Sequence, residues 1–206
     1  MLTGILVLAG YLAGSMPFGY WLVRATKGVD IRAQGSGNIG ASNVWRTYGA
    51  RYGAPVALLD VAKGFGPALA ASLLAGPLAG VIAGGAAMAG HWRPVFLRFA
   101  KGGKMVATCG GAFFGVAPLV AAAAGVVWLG TFLLLRYASV ASMTAAVSLP
   151  ILALVLDRPW PVVAFAALAA VAVFLLHQGN IRRLREGTER RFSFRTARRR
   201  SEAPAR

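Results

Sequence analysis

Long stretches of this chain, residues 2–23, 64–90, 105–135, 137–156 and 159–176, contain no Lys, Arg, Asp or Glu. A helix that crosses the hydrocarbon of a bilayer takes about 20 mostly apolar residues. Its internal hydrogen bonds satisfy every backbone polar group where no water is at hand. Composition agrees: 57% of residues are hydrophobic and 14% charged, against roughly a quarter charged in soluble domains. The fold class read from the sequence is an all-α integral membrane protein.

Residues 2–23 form the first expected span. No Lys or Arg precedes the apolar stretch and no small-residue cleavage site follows it, so it reads as a retained span and not a signal peptide. Residues 54–74 and 77–90 come next. The run 105–135 is too long for one crossing and divides at Gly115 and Pro118, and residues 139–156 and 160–176 complete about seven transmembrane helices. Every Lys and Arg except Lys63 and Arg158 then falls in alternate connections: residues 24–51, 91–104, around 136, and from 178 onward. Because Lys and Arg concentrate in cytoplasmic loops, the N-terminus is expected outside and the C-terminus in the cytoplasm. Residues 1–177 are read as the transmembrane domain and 178–206 as a basic cytoplasmic tail, with 177–190 completing the functional site. The tail is expected to lie on anionic lipid or to be disordered. Gly76, Gly80 and Gly84 recur at a spacing that lets helices pack closely in lipid.

A net charge of +16 raises the question of nucleic acid. The arginines lie between apolar spans or in the tail and not on a water-soluble face, so nucleic acid is set aside. Cys109 is the only cysteine, which excludes an intramolecular disulfide and a thiolate metal cluster.

Three basic segments carry the chemistry. In residues 30–46, Gly35, Gly37 and Gly40 allow the backbone to turn its amides toward an anion. Ser36, Asn38 and Asn43 add neutral donors and Arg32 and Arg46 add charge, and a short helix starting between Asn38 and Tyr48 would favour phosphate at its N-terminus. In residues 91–104, Lys101, Gly102, Gly103 and Lys104 precede a helix at Met105, so ammonium groups and free amides would converge. In the third segment His177 and Asn180 share a face if the last helix continues. Asp60 and Lys63 lie within a span and are expected to pair, either to tie the loop down or to serve function. The six carboxylates are too scattered for a two-metal phosphate site, no carboxylate lies five residues after either histidine, and no Gly-x-Ser-x-Gly elbow occurs. Donors and cations remain, suited to phosphate binding and oxyanion stabilisation.

Gly14-Ser15-Met16-Pro17-Phe18-Gly19-Tyr20, the 30–46 loop, Asp60 with Lys63-Gly64, Gly90-His91 with Pro94 and Phe96, Lys101-Gly102-Gly103-Lys104 with Val106-Ala107-Thr108, and the segment from His177 to Glu189 together resemble the bacterial acyl-phosphate:glycerol-3-phosphate acyltransferases, the PlsY family. The likeness covers nearly the whole chain. Ser42 stands where that family usually has Thr, and Met105 where it usually has Gly. The resemblance implies a seven-span enzyme of the bacterial plasma (inner) membrane. It would transfer a fatty acyl group from acyl phosphate to the 1-hydroxyl of glycerol 3-phosphate, releasing inorganic phosphate and lysophosphatidic acid at the first step of phospholipid synthesis. It further implies no metal, no cofactor, and no acyl-CoA or acyl-carrier protein. By matching positions, Ser36, Arg46 and Lys104 would act on the acyl-phosphate headgroup. Gly35, Gly37, Asn38, Asn43, Lys101, Gly102, Gly103, His177 and Asn180 would bind substrate, His177 and Asn180 holding glycerol 3-phosphate. The rival reading is a transporter for an organic phosphate, which would be expected to carry polar residues along several spans; here only Asp60 and Lys63 are strongly polar. A non-catalytic scaffold would leave the Gly-Ser-Asn-Arg loop idle.

Overall fold

The computed structural model describes residues 1–192, and these contain helices and loops but no strand. The helices are α1 (Leu2–Gly14), α2 (Phe18–Lys27), α3 (Ala41–Tyr48), α4 (Ala50–Trp92), α5 (Val106–Val116), α6 (Pro118–Leu135), α7 (Ala138–Val155), α8 (Trp160–Leu176) and α9 (Gln178–Arg185). The part of the basic tail beyond Phe192 lies outside the described residues. Leucines cover the outside, Leu134 being 79% and Leu73 76% exposed, whereas Asp60, Lys63, His91, His177 and Asn180 are buried. That inversion is what a lipid solvent demands: apolar side chains face outward and polar ones find partners within.

Local signals explain the breaks. Ser15 and Pro17 interrupt the first span, and α2 restarts with Pro17 at its N-cap. Pro118, whose missing N–H is harmless at a helix start, opens α6 directly after Ala117, so the run 105–135 divides as its sequence indicates. The long α4 is broken at Gly76, where φ is +84°. Only glycine adopts that conformation readily. Past this residue the chain reverses: a methyl on Gly80 would lie 1.9 Å from Ser72 Oγ, and one on Gly84 3.4 Å from Ala68 Cβ. Residues 50–75 and 77–92 are therefore two antiparallel arms of a helical hairpin. Gly80 and Gly84 serve close packing as expected, but Gly76 forms the turn and does not belong to that stripe.

Among the described residues, Leu2–Lys27, Ala50–Leu97, Pro118–Leu135 and Ala138–Val155 are long and apolar enough to cross a membrane, and Trp160–Leu176 with Gln178–Arg185, bent by 56°, makes a fifth. The sequence led us to expect about seven. The difference arises because both arms of α4 lie in one stretch and because α5 has only 11 residues, roughly 16 Å of helix. Hydrophobic packing joins α5 to α8 through Phe113 and Phe165, whose rings stack at 4.8 Å.

The topology brings the basic connections together. Helix α1 runs alongside the second arm of α4, since a methyl on Gly14 would meet Ala87 O at 2.0 Å and one on Gly10 would meet Ala83 O at 2.6 Å. Both lead toward one end of the bundle. At that end the 31–40 loop touches the 93–104 loop through Asn38 Nδ2 and Gly102 O, 3.4 Å apart. The 177–192 segment meets this end as well: Asn180 accepts from Lys104, the Phe192 ring lies 5.8 Å from that of Trp45 on α3, and Phe192 N donates to Arg136 O at 2.7 Å.

Candidate active site

The 31–40 loop is organised from within by Asn43. Its Oδ1 accepts from Ser36 N at 2.8 Å, and its Nδ2 donates to Gln34 O at 3.0 Å and Asn38 O at 2.8 Å. Gly35 and Gly37 have φ of +61° and +71°, and a methyl on Gly35 would strike Asn43 Oδ1 at 2.3 Å. These residues shape the loop so that Ser36 and Asn38 reach the cavity. Arg32 does not join them: it forms a salt bridge to Asp30 at 2.7 Å and lies over the Tyr20 ring at 5.0 Å. Helix α3 begins only at Ala41 and carries Arg46 in its last turn. The Arg46 side chain makes no hydrogen bond or ion pair among the described residues, and burial lowers its pKa from the usual arginine value.

The 101–104 segment differs from expectation. Gly102 N donates to Trp92 O at 2.8 Å and Gly103 N to His91 O at 2.9 Å, so these two amides are not free for an anion. Their carbonyl partners sit at the end of α4, close enough to capture them. Lys101 is exposed, whereas Lys104 is directed inward and donates to Asn180 Oδ1. Met105 then occupies the N-cap of α5 with φ of +66°. That left-handed conformation explains why glycine suits the position. Methionine accepts about 1–2 kcal/mol of strain there, offset by burial of its side chain, which is 7% exposed in the core.

The third segment is bent and not continuous. His177 caps α8, and α9 restarts at Gln178. His177 Nδ1 lies 2.7 Å from Val173 O. A carbonyl can only accept, so Nδ1 carries the hydrogen and Nε2 is left as an acceptor. Asn180 Nδ2 donates to Glu189 Oε1 at 2.6 Å, and the same carboxylate accepts from Ser139 Oγ and Arg183 Nε, each at 2.7 Å. Sequence reasoning assigned Glu189 no role. Nothing in the chain beyond its place in the third segment marks it, because its partners lie on α7 and α9. Burial opposes its charge, but the hydrogen bonds from Asn180, Ser139 and Arg183 outweigh that and hold its carboxyl below the usual range.

These groups share one cavity of about 390 Å³. Ser36, Asn38, Arg46, Lys104, His177 and Asn180 line its polar part, while the walls from α5, α6 and α7 are mostly apolar, mixing small residues such as Gly110, Ala121, Gly125 and Ala146 with the larger Phe113, Trp128 and Leu149. Asn43 also borders it, but Gly35, Gly37, Lys101, Gly102 and Gly103 do not. The lysine feels its surroundings: burial first, then the charge of Arg183, push the Lys104 ammonium down to about 8, against the pull of Glu189. Two carboxylates, Glu189 and Asp60, border the cavity beside Arg46 and Lys104, but each is already paired with a further cation, Arg183 and Lys63 respectively, so positive charge is in excess. The cavity is equipped for anions whose remaining bulk is oily. Among the described residues no cluster of His, Cys, Asp or Glu could hold a metal ion.

Comparison with known proteins follows the same lines. A family model described as Glycerol-3-phosphate acyltransferase matches residues 4–187. The chain is 43% identical over 195 residues to the glycerol-3-phosphate acyltransferase of Desulforudis audaxviator, covering 94% of this chain and 98% of that one. It is 48% identical over 192 residues to that of Roseiflexus sp. (strain RS-1), covering 91% and 94%. Among solved structures it is similar to PlsY (YgiH), an integral membrane glycerol 3-phosphate acyltransferase. The glycerol 3-phosphate form matches with a TM-score of 0.90 at 43% identity, over 94% of this chain and 96% of that chain. The lysophosphatidic acid form matches with a TM-score of 0.87 at 42% identity, over the same shares.

Proposed function

The chain belongs to the glycerol-3-phosphate acyltransferase family, and from that premise we propose how its cavity performs the reaction. It is a membrane enzyme that acylates glycerol 3-phosphate to lysophosphatidic acid. We take the donor to be acyl phosphate. The observation that carries this reading is the joining of two unlike surfaces in one cavity: Arg46, Lys104 and Ser36 at its polar part, and apolar side chains of α5, α6 and α7 along its walls. The first set fits a phosphate headgroup and the second an acyl chain.

An acyl phosphate is a mixed anhydride, so the carbonyl is already activated and phosphate departs readily. The protein must bring two phosphate-bearing molecules together against their repulsion and orient the 1-hydroxyl toward the carbonyl carbon. Arg46 and the Lys104 ammonium neutralise the headgroups, and the Ser36 hydroxyl donates to a phosphate oxygen. Asn180, fixed by Glu189, holds Lys104 in place. His177 offers Nε2 as an acceptor for a glycerol hydroxyl. As the hydroxyl oxygen bonds to carbon, the carbon–oxygen bond to phosphate breaks and the departing phosphate takes the hydroxyl proton.

Incubating purified protein with glycerol 3-phosphate and acyl phosphate should give lysophosphatidic acid and inorganic phosphate, and acyl-CoA should not replace the donor. Equal turnover with acyl-CoA would overturn the donor assignment. His177→Gln should raise KM for glycerol 3-phosphate about tenfold with kcat little changed, the pattern of lost binding. A fall confined to kcat would instead make His177 the base.

Lys104 gives a pH signature. Its ammonium is charged below about 8 and neutral above. The kcat/KM for acyl phosphate should therefore be level below that pH and fall about tenfold per unit above it, as one required proton is lost. Lys104→Arg keeps its charge through this range and should move the alkaline limb outward. A limb unchanged in that variant would assign it to another group.

The clustering of Lys and Arg at the site end supports a cytoplasmic site, with the N-terminus outside and the enzyme in the bacterial inner membrane.

A further inference from the structure

Three buried ionisable groups next to the site have no part in the reaction described above. Asp60 and Lys63 lie one turn apart on the first arm of α4 and pair at 2.7 Å, each side chain 3% exposed. Lys63 Nζ also donates to Met16 O at 2.9 Å, which ties the pair to the break between α1 and α2. His91, at the end of the second arm, brings Nδ1 to within 3.8 Å of Asp60 Oδ1. That nitrogen is buried with no hydrogen-bond partner among the described residues, and both Asp60 and His91 border the cavity.

The other side of the imidazole faces the 101–104 segment. A methyl on Gly103 would lie 1.8 Å from His91 Nε2 and 2.4 Å from Cε1, and the Gly103 amide is bonded to the His91 carbonyl. Neither Gly102 nor Gly103 has a positive φ, so backbone conformation does not call for glycine at these positions. At Gly103 the close approach of the ring does.

We propose that His91 is a positioning residue for the acyl transfer. Its imidazole, backed by the Asp60–Lys63 pair, is the floor on which Gly103 rests, and the height of that floor sets where the adjoining Lys104 ammonium enters the cavity. The inference rests on the reading that Lys104 holds a substrate phosphate. Because Gly103 and Lys104 are neighbours, a displaced glycine moves the lysine directly. A shift of about 1 Å in such a group is enough to cost about 100-fold.

The test is a cycle of four purified proteins: wild type, Gly103→Ala, His91→Ala and the double variant, each assayed for kcat and KM with acyl phosphate and glycerol 3-phosphate and for thermal unfolding in detergent. Gly103→Ala should lose about 100-fold in kcat/KM and His91→Ala about tenfold, while the double variant should return to within about threefold of His91→Ala, because the methyl enters the space the ring has left; contact pairs couple in this way. In Gly103→Ala the alkaline limb assigned to Lys104 should also move to higher pH as the displaced ammonium meets water, a change that mere loss of stability would not give. Should His91→Ala not yield folded protein, His91→Asn shortens the same side chain and closes the same cycle. If Gly103→Ala costs as much without the ring as with it, His91 is not the floor and the proposal fails. Lys104→Ala separates the two levels: if it retains wild-type activity, the phosphate reading itself fails, whereas if it loses activity and the cycle is additive, only the role of His91 is refuted.

Discussion

Arg46→Ala is expected to lower kcat/KM for acyl phosphate by about a thousandfold, near the upper range for removing one group that stabilises transition-state charge. Arg46 reaches the cavity from the last turn of α3 and has no hydrogen-bond or ion-pair partner among the described residues, so its charge is uncommitted. With acyl phosphate as the proposed donor, the substrates would bring two phosphates into one pocket. At an effective dielectric near 20, each pair of unit charges about 5 Å apart repels by roughly 3 kcal/mol. Among the described residues Lys104 is the other cation lining the cavity, and one ammonium that is half deprotonated at about 8 cannot offset both. Arg46→Lys should recover only part of the rate, since lysine restores a point charge but not a planar fork of donors. Thermal unfolding should be nearly unchanged, because no internal bond is lost. Wild-type turnover in Arg46→Ala, measured as release of inorganic phosphate, would remove the central cation from the mechanism.

The second large effect is expected at Glu189, and it should combine instability with inactivity. Its carboxylate receives Ser139 from α7 and Asn180 and Arg183 from α9, and Asn180 in turn receives Lys104. Glu189→Ala strands Ser139 and Asn180, both 5% exposed, without an acceptor. Removing one partner from a buried charged network costs roughly 3–5 kcal/mol, and the lower end applies because the Arg183 side chain is 38% exposed. That corresponds to a fall in Tm of about 6–12 °C for a chain of this size. Below that temperature kcat/KM should still be down by about 100-fold, because Asn180 is free to turn and Lys104 loses its fixed acceptor. Glu189→Gln keeps the shape and one good acceptor and should fall between. If Glu189→Ala unfolds early but the folded fraction has full specific activity, the carboxylate holds the fold without holding the lysine.

The helices and their breaks were readable because lipid makes a local demand. Apolar run length marks a crossing, and Pro118 marks the division of the 105–135 run where it was expected, whereas Gly76, read as one of three packing glycines, proves to be the turn itself. The cations were readable for a similar reason: Arg46 and Lys104 stand out in a chain whose spans are nearly free of charge. What the sequence could not convey was how donors are spent. Gly102 and Gly103 looked free, but the carbonyls of Trp92 and His91, ten and twelve residues earlier, take their amides. Asn43 looked like a substrate donor, yet its amide is used inside its own loop. Glu189 looked like one more tail carboxylate until α7 and α9 met around it. Each of these depends on which partner lies nearest after folding, and composition does not encode that. The bend at His177 belongs with them, since the apolar pattern of α8 runs up to it without a helix-breaking residue.

Gly76 acts as the pivot of a pair of calipers. Its two arms run the length of the bundle and lead at their tips into the segments that meet through Asn38 and Gly102. The opening of those jaws is thus gauged at the far end of the molecule, where Gly76 makes the turn. One residue added to either arm would rotate everything beyond it by about 100°, turning Asp60 or His91 out of phase with the other while leaving each helix intact. In this part of the chain, length is under tighter control than composition.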